Sequence, residues 1–374
     1  MKKIFYTIYA IIFRICRLFP VKGGRVALVS PHNADFNDSL GAVRAELERR
    51  GGYDIKLITR RDIEISGNPL KIVAGAFRFF ILSTYRLATS EYVFLNDNFM
   101  PLAYINFSEK TTVTQLWHAE GVFKRFGLCS ALPEEVEKLE RRCCERYTYA
   151  VCTSKNVAPY YAEAFNLPEQ RVLALGSPRT DRFFEEHDVD SLRREFDLRY
   201  PKCKGKKLVI YAPTFRDVPE RDSKIMEYFD VRRFGEELSD EYTLLIRLHP
   251  QVHSSAVAES EYSVDVTDYK DVGTLVQLAD LLITDYSSIC MDFALLRKPC
   301  LFYAFDLEEY ENERSFFFDY EDYVPGTVVK SFDELVQTVK DENFTLQKQE
   351  KFRDFNFDFA DDLSAKRVVD KIIG

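Results

Sequence analysis

Two histidines in this chain directly follow apolar, strand-like runs. His118 ends a β-branched run and lies close to Gly121, whose backbone can approach a ligand closely. Imidazole ionises near neutral pH, so a histidine in this position suits general base catalysis. His249 ends a second run and, with Arg247, offers donors to a pyrophosphate. The structural alternatives stay open: His118 could be bonded to a carbonyl, and Arg247 could belong to a buried ion pair.

A third polar cluster begins where an apolar run reaches Asp285. Ser287 and Ser288 follow, a helix is predicted to begin there, and Asp292 lies one turn further on the same face as Ser288. Free amides at a helix N-terminus bind phosphate, serine hydroxyls add donors, and Asp292 can accept from ribose hydroxyls. Plain capping of the helix by either serine is the structural alternative.

Three further segments are candidates for ligand contact. Thr214 and Arg216 follow the first strand predicted in the second half. They either contact a donor substrate that carries a pyrophosphate or form a plain loop. Arg179 follows a Gly-Ser-Pro turn and either faces a cleft or shapes the turn. Residues 310–328 are rich in acids and aromatics and are predicted to form a long loop that covers a nucleotide.

Alternating apolar runs and helix-like segments predict parallel sheets covered by helices. Strands are predicted at 26–30, 54–59, 92–96, 112–117, 150–153, 172–175, 208–212, 243–247, 281–285 and 300–303. Helices are predicted at 41–50, 70–87, 134–146, 157–165, 231–238, 272–278, 288–296 and 364–373. This α/β pattern predicts two Rossmann-like domains that face a cleft, with ligands outside the carboxyl ends of the strands.

The predicted domain organisation has four parts. They are a basic amphipathic N-terminal segment at 1–25, an acceptor domain at 26–190, a donor-nucleotide domain at 205–355 and a closing helix at 356–374. The charged segment 185–207 is interpreted as the connection between the domains.

Composition excludes several classes of protein. Hydrophobic residues make up 46% and charged residues 30% of the 374, as in a soluble globular protein. The formal net charge of −9 argues against a nucleic acid partner, since phosphates demand a basic face. The eight cysteines form no C-x-x-C pair, which indicates reduced thiols in a cytoplasmic protein. Asp188 and Asp190 form a D-x-D sequence, but two acids with a one-residue gap are common by chance. Neither a metal site nor a cofactor is predicted.

The N-terminal run is apolar and basic at once. Residues 4–19 are too few to span a bilayer, and no small-residue cleavage site follows them. On a helix, Lys3, Arg14 and Arg17 share one stripe with Thr7 and Ala10, opposite a stripe of Ile4, Phe5, Ile8, Ile12 and Ile15. That pattern is typical of a helix lying in a membrane interface. A helix docked against the protein itself is the alternative.

Taken in order, six motifs resemble the CDP-glycerol glycerophosphotransferase family of teichoic acid synthesis. They are QLWHAEGVFKRFG (115–127), LGSPRTDRFF (175–184), YAPTFRD (211–217), IRLHP (246–250), TDYSSICMDFALLRKP (284–299) and FFFDYEDYVPG (316–326). The resemblance extends from about residue 92 to the C-terminus, and residues 26–59 resemble the family more weakly. The single catalytic module resembles the family's primases more than its long polymerases.

The resemblance implies a GT-B fold and a reaction. An acceptor hydroxyl attacks the β-phosphorus of CDP-glycerol and CMP leaves, with His118 as the base and His249 steadying the pyrophosphate. The other donor-side matches are Thr214, Arg216, Arg247, Asp285, Ser287, Ser288 and Asp292. The acceptor-side matches are Glu120, Gly121, Lys124 and Arg179. The implied acceptor is a lipid-linked saccharide at the cytoplasmic face of the membrane, where the enzyme would be peripheral.

Three departures from the family pattern keep alternatives open. Glu120, Ser315 and Thr327 stand where small residues, glycine and proline are common in the family, which leaves the acceptor and the donor polyol undecided. CDP-ribitol or another activated polyol is therefore an alternative donor. A GT-B glycosyltransferase that uses a nucleotide sugar, and a non-catalytic membrane-associated binding protein, are the other hypotheses.

Overall fold

The chain divides into two α/β units. The computed structural model describes residues 2–36, 38–186, 188–216, 218–222, 225–249 and 260–374. The first unit comprises Met1–Phe184 with Asn356–Gly374, and the second comprises Glu185–Phe355. Asp217 and Pro250, which belong to two of the motifs above, lie outside the described residues.

Each unit is built on a six-stranded parallel sheet. The first sheet contains β1 (Lys22–Ser30), β2 (Asp54–Thr59), β3 (Ser90–Leu95), β4 (Thr112–Gln115), β5 (Tyr149–Cys152) and β6 (Val172–Ala174), in the order β2-β1-β3-β4-β5-β6. The second contains β7 (Lys207–Ala212), β8 (Tyr242–Ile246), β9 (Ser263–Asp265), β10 (Leu281–Thr284), β11 (Cys300–Tyr303) and β12 (Thr327–Val329), in the order β12-β11-β10-β7-β8-β9.

Helices cover the sheets. Those of the N-terminal half are α1 (Lys2–Cys16), α2 (Ser39–Arg50), α3 (Arg60–Ile63), α4 (Pro69–Phe77), α5 (Thr84–Ala88), α6 (Glu134–Cys144) and α7 (Ala158–Ala164). Those that follow are α8 (Val189–Arg199), α9 (Pro219–Asp222), α10 (Val231–Leu238), α11 (Val272–Leu278), α12 (Ile289–Leu295), α13 (Leu307–Glu313), α14 (Tyr320–Tyr323), α15 (Phe332–Lys340), α16 (Leu346–Asn356) and α17 (Ser364–Ile372).

Burial explains why the apolar runs become parallel strands. All four residues from Val26 to Val29 are fully buried, so both faces of β1 are covered. Strands of a parallel sheet lie between two helical layers and therefore need side chains that are apolar on both faces. The same holds for β10, whose Leu281, Leu282 and Ile283 are buried. The predicted strands in both halves are confirmed on this basis, to within two residues at their ends except for β1, which begins four residues earlier than predicted.

The predicted closing helix is observed as α17, which packs in the first unit. Val368, Val369 and Ile372 join the core formed by β1 and α2. The Asp181 carboxylate accepts from the backbone N–H groups of Ser364 (2.9 Å) and Ala365 (2.7 Å) at the start of the helix. These contacts explain how the end of the chain returns to the first half.

The observed elements differ from the sequence interpretation in four places. The charged segment 185–207 contains α8, which amphipathic burial of Phe196 stabilises. The region 70–87 is not one helix, because a π-helical stretch (Arg78–Ser83) separates α4 from α5. Strands β9 and β12 are only three residues long and gave no periodic signal. Residues 310–328, predicted as a loop, contain the end of α13, all of α14 and the start of β12.

Helix α1 combines features of both sequence hypotheses. Its inner face, Tyr9, Phe13 and Cys16, is buried in the first unit, and the Tyr9 ring stacks 5.0 Å from Phe79. Its outer face nevertheless exposes a stripe of large apolar side chains: Ile4, Ile8, Ile11 and Ile15. The helix is therefore docked on the protein and apolar toward solvent.

Candidate active site

In the first sheet, polar side chains converge where strand order reverses. The chain passes from β1 to β2 on one side and returns to β3 on the other, so the loops after β1 and β3 diverge. Ligands bind at such switch points in open α/β sheets. His32 follows β1, Asp97 follows β3 and His118 follows β4. The Asp97 Oδ2 atom lies 3.6 Å from His118 Nδ1 and 3.9 Å from His32 Nε2.

The backbone before His118 is held in an unusual conformation. Trp117 has φ +61°, in the left-handed region that bulky residues rarely adopt. Its N–H donates to Gln115 Oε1 (3.0 Å), and its ring is stacked 5.2 Å from that of Phe126. The buried indole thus anchors the turn, while the His118 imidazole next to it remains exposed. An exposed ring on an immobilised backbone can meet a substrate hydroxyl.

Glu120 and Arg179 form an ion pair beside this edge. The Arg179 Nε atom donates to Glu120 Oε1 at 2.8 Å, and the Ser177 hydroxyl donates to the same oxygen at 3.0 Å. Burial alone would raise the pKa of the Glu120 carboxyl, but Arg179 and Ser177 outweigh it and hold that pKa below its usual value. Gly121 has φ +58° and donates to Thr153 Oγ1, and Lys124 is half-buried.

In the second sheet, the strand order reverses between β7 and β10. Thr214 follows β7, Asp285 follows β10, and the Thr214 N–H donates to Asp285 Oδ1 at 2.8 Å. The hydroxyl of Thr214 has no hydrogen-bond partner within the described part of the chain, although the residue is only 7% exposed. Native proteins rarely leave a buried hydroxyl unpaired, so this atom is suited to a bound ligand.

Arg216 lies beneath this switch point and not on its surface. Its side chain is 1% exposed, and it donates to both oxygens of Asp306 (2.8 and 2.9 Å) and to Asp285 Oδ2 (2.9 Å). Its guanidinium also lies over the rings of Tyr286 and Tyr310. Its contacts in the structure are with the protein, and it supports Asp285; a direct contact with the donor stays a prediction.

Arg247 has a similar supporting place. Its guanidinium donates to the carbonyl oxygens of Val266 (2.9 Å), Thr267 (3.3 Å) and Tyr269 (2.9 Å), and burial lowers its pKa. It holds the loop after β9, and its partners are carbonyls instead of the ion pair considered above. His249, two residues on, is exposed, and its ring lies 4.8 Å from that of Phe215.

The loop between β10 and α12 presents the predicted serines. Ser288 is exposed and Ser287 half-buried, and the Ser287 hydroxyl accepts from the Ile289 N–H at 3.4 Å. Asp292 is buried in the first turn of α12. The structure thus brings Thr214, Asp285 and these serines to adjacent loops of one unit.

Sequence reasoning missed four residues of the two edges: His32, Asp97, Gln115 and Asp306. A histidine two residues after β1 and an acid two residues after β3 were visible signals, because both follow strands. No three His, Cys, Asp or Glu side chains among the described residues are grouped to hold a metal ion. No helix in that same part of the chain is long and apolar enough to cross a membrane.

Two parallel-sheet units with polar residues at their switch points define a two-domain, Rossmann-like α/β protein of the GT-B type. Solved structures share this fold. The wall teichoic acid polymerase TagF superposes with a TM-score of 0.75 at 22% identity, covering 96% of this chain and 92% of that one. A UDP-GlcNAc 2-epimerase from Neisseria meningitidis gives 0.60 at 14% identity, covering 93% and 99%.

The sequence comparisons place the chain more closely. The family described as CDP-Glycerol:Poly(glycerophosphate) glycerophosphotransferase matches residues 11–374, and the chain belongs to that family. It is 31% identical to a teichoic acid ribitol-phosphate primase of Bacillus spizizenii, covering 100% of this chain and 96% of the relative. It is 27% identical to a teichoic acid glycerol-phosphate primase of Bacillus subtilis, covering 78% and 76%.

A longer relative matches only in part. The chain is 31% identical to a teichoic acid poly(ribitol-phosphate) polymerase of Bacillus spizizenii over its whole length, but it spans 60% of that protein. The chain is thus a member of a phosphotransferase family of teichoic acid synthesis that contains primases and polymerases.

Proposed function

We propose that the chain transfers a polyol phosphate from a CDP-polyol to a hydroxyl of a lipid-linked, teichoic acid-type acceptor, with release of CMP. The observation that carries this proposal is the exposed His118 imidazole, held on an anchored backbone at the carboxyl edge of the first sheet. Family membership supports the reaction type.

In the proposed reaction, His118 takes the proton of the acceptor hydroxyl while the oxygen of that hydroxyl attacks the β-phosphorus of the CDP-polyol. The bond between that phosphorus and the bridging oxygen breaks, and the oxygen leaves with CMP. On the donor side we assign binding of the nucleotide phosphates to the Thr214 hydroxyl, Ser287, Ser288 and His249. A hydroxyl or imidazole that donates to a charged phosphate makes a strong hydrogen bond.

The relatives bear on the donor polyol. The motifs predict CDP-glycerol, whereas the ribitol-phosphate primase and polymerase are 31% identical to the chain and the glycerol-phosphate primase is 27% identical. This difference favours CDP-ribitol as the second candidate donor.

The test is a comparison of products. The purified protein is incubated with a lipid-linked saccharide acceptor and with CDP-glycerol, CDP-ribitol or a UDP-sugar in turn. CMP release with either CDP-polyol is the expected result, and His118→Ala lowers kcat by about 10²–10⁴-fold, the usual contribution of general acid–base catalysis. Release of UDP alone would assign sugar transfer instead.

We also propose that the first unit binds the cytoplasmic face of the membrane peripherally. Support comes from two exposed apolar segments, the outer stripe of α1 and the Leu70, Val73 and Phe77 side chains of α4. Exposed Arg14, Arg17 and Lys71 lie on the same helices or directly after them and would meet anionic headgroups.

A vesicle sedimentation experiment tests this surface with a matched control. Ile11→Asp and Leu70→Asp each place a charge on the proposed surface, and Leu198→Asp places one on a comparably exposed leucine of the second unit. We expect the first two variants to lose binding to phosphatidylglycerol vesicles while the third retains it. Equal binding by all three would contradict the proposal.

A further inference from the structure

An aspartate that precedes His118 by 21 positions in the chain lies beside its imidazole. Asp97 follows β3, whose neighbour in the sheet is β4, and β4 leads into His118. The Asp97 Oδ1 atom accepts from the N–H of Asn98 at 2.7 Å. This bond fixes the plane of the carboxylate, and the second oxygen, Oδ2, lies 3.6 Å from His118 Nδ1.

A carboxylate beside Nδ1 decides which tautomer the imidazole adopts. An ionised carboxylate only accepts hydrogen bonds, so it favours the proton on Nδ1 and leaves the lone pair of Nε2 free. Nε2 is then the atom that takes a proton from a substrate. The separation of 3.6 Å is that of an ion pair, and such contacts in free enzymes commonly shorten when substrate binds.

Gln115 connects the two loops that carry Asp97 and His118. Its side chain is fully buried, and its amide accepts from Trp117 N–H (3.0 Å) while donating to the carbonyl oxygen of Asp97 (3.2 Å). It also donates to the hydroxyl of Tyr147 (3.1 Å). Only an amide offers an acceptor and two donors from one side chain, so neither Glu nor Leu can replace it.

The conformation of Trp117 shows why these hydrogen bonds of Gln115 matter. A left-handed φ at a bulky residue is unfavourable and persists only where surrounding contacts enforce it. The Gln115 amide and the stacked indole supply those contacts. The same amide that turns the backbone toward His118 therefore also holds the backbone of Asp97.

We propose that Asp97 is a positioning residue that holds His118 in the Nδ1–H tautomer, and that Gln115 sets the two loops in register for this contact. The kinetic part of the proposal rests on the proposed function, whereas the tautomer itself does not. His32 Nε2 lies 3.9 Å from the same carboxylate oxygen, so its ring has to be distinguished from that of His118.

Nitrogen-15 NMR on the full chain labelled with [15N]histidine tests the tautomer directly. Spectra are recorded at a pH where the ring is neutral, and the His118 signal is assigned by its loss in His118→Gln. We expect Nδ1–H in the wild type, a shift toward Nε2–H in Asp97→Asn, and return toward Nδ1–H in Asp97→Glu. In Asp97→Asn the side-chain amide can donate to Nδ1, which favours the opposite tautomer.

Kinetics provide the second arm. Asp97→Asn should lower kcat about 10–10²-fold while KM for the CDP-polyol stays within about twofold, and Asp97→Glu should recover most of the loss. Asp362→Asn, an exposed carboxylate of the same unit, is the matched control and should leave both constants unchanged. Gln115→Glu should resemble Asp97→Asn in both arms, since it removes the donor to the Asp97 carbonyl.

The outcomes separate the two proposals. If the wild type turns over no CDP-polyol, the proposed function fails, and the NMR arm still decides the role of Asp97. An unchanged tautomer in Asp97→Asn overturns the inference, whatever the activity. Equal loss of kcat in the Asn and Glu variants, with a matching drop in Tm, assigns Asp97 a purely structural role and also overturns it.

Discussion

The ion pairs of Arg216 under the switch point of the second sheet allow a test of how the loops carrying Thr214 and Asp285 are supported. Arg216 bonds to two buried carboxylates, Asp285 and Asp306, and to the carbonyl oxygen of Thr214. Replacing it by methionine keeps much of its volume but leaves both carboxylates without their principal cation. Breaking a buried pair from one side costs about 3–5 kcal/mol because a buried charge remains uncompensated.

The expected shift in thermal stability follows from the size of the unit. For a domain of this length, 1 kcal/mol corresponds to about 2–4 °C in Tm, so Arg216→Met should lower the Tm of the second unit by about 6–20 °C. Differential scanning calorimetry of the full chain measures the shift. Arg232→Met is the matched control, because Arg232 is exposed on α10 and forms an ion pair with Glu236, one turn along the same helix. Its effect on Tm should be close to zero, because exposed ion pairs contribute little to stability.

The dependence of this loss on pH has a definite sign. Burial alone would raise the pKa of Asp306, but Arg216 outweighs burial and holds that pKa below its usual value. In the wild type this contribution is present above the ordinary aspartate range and is lost as pH falls through the lowered pKa. In Arg216→Met the pKa of Asp306 should rise, so the folded variant takes up a proton on acidification. The deficit should therefore be larger at pH 7 than at pH 5. A loss below about 1 kcal/mol, or one that does not change with pH, would refute the reasoning.

Three further predictions concern single side chains. Thr214→Val should weaken CDP binding about tenfold by calorimetry while leaving Tm unchanged or slightly raised, since the hydroxyl lacks a partner in the described chain; equal affinity would remove this hydroxyl from the donor site. Ser288→Ala should weaken the same binding about fivefold, and a value equal to that of the wild type would assign the serine to the helix end alone. Arg179→Gln should cost about 3–5 kcal/mol at pH 7, because it leaves the buried Glu120 carboxylate without its cation. Arg179 holds the pKa of Glu120 low in the wild type, and burial should raise it in the variant, so the cost should shrink as pH falls through the raised pKa of the variant; equal losses by chemical denaturation at pH 7 and pH 4 would contradict this.

Local patterns determined much of the fold. Runs such as Val26–Val29 and Leu281–Ile283 contain apolar side chains on both faces, and only a strand between two helical layers buries both. The position of His118 after a strand was equally visible, because a strand end is a property of neighbouring residues. Helix α8 was missed because its segment is mostly charged, and it is burial of Phe196 in the second unit that stabilises the helix.

The contacts around the candidate site depended on the order of the strands. Asp97 and His118 approach each other only because β3 and β4 are neighbours in the sheet, and Arg216 reaches Asp306 across a sequence separation of 90 residues. No local pattern encodes either pairing. The supporting places of Arg216 and Arg247 likewise became visible only with their partners, because a sequence shows a charge but not whether another charge or a carbonyl neutralises it. Residue types and strand ends were therefore properties of the sequence, whereas tertiary structure decided which of these residues face a ligand and which hold the others in place.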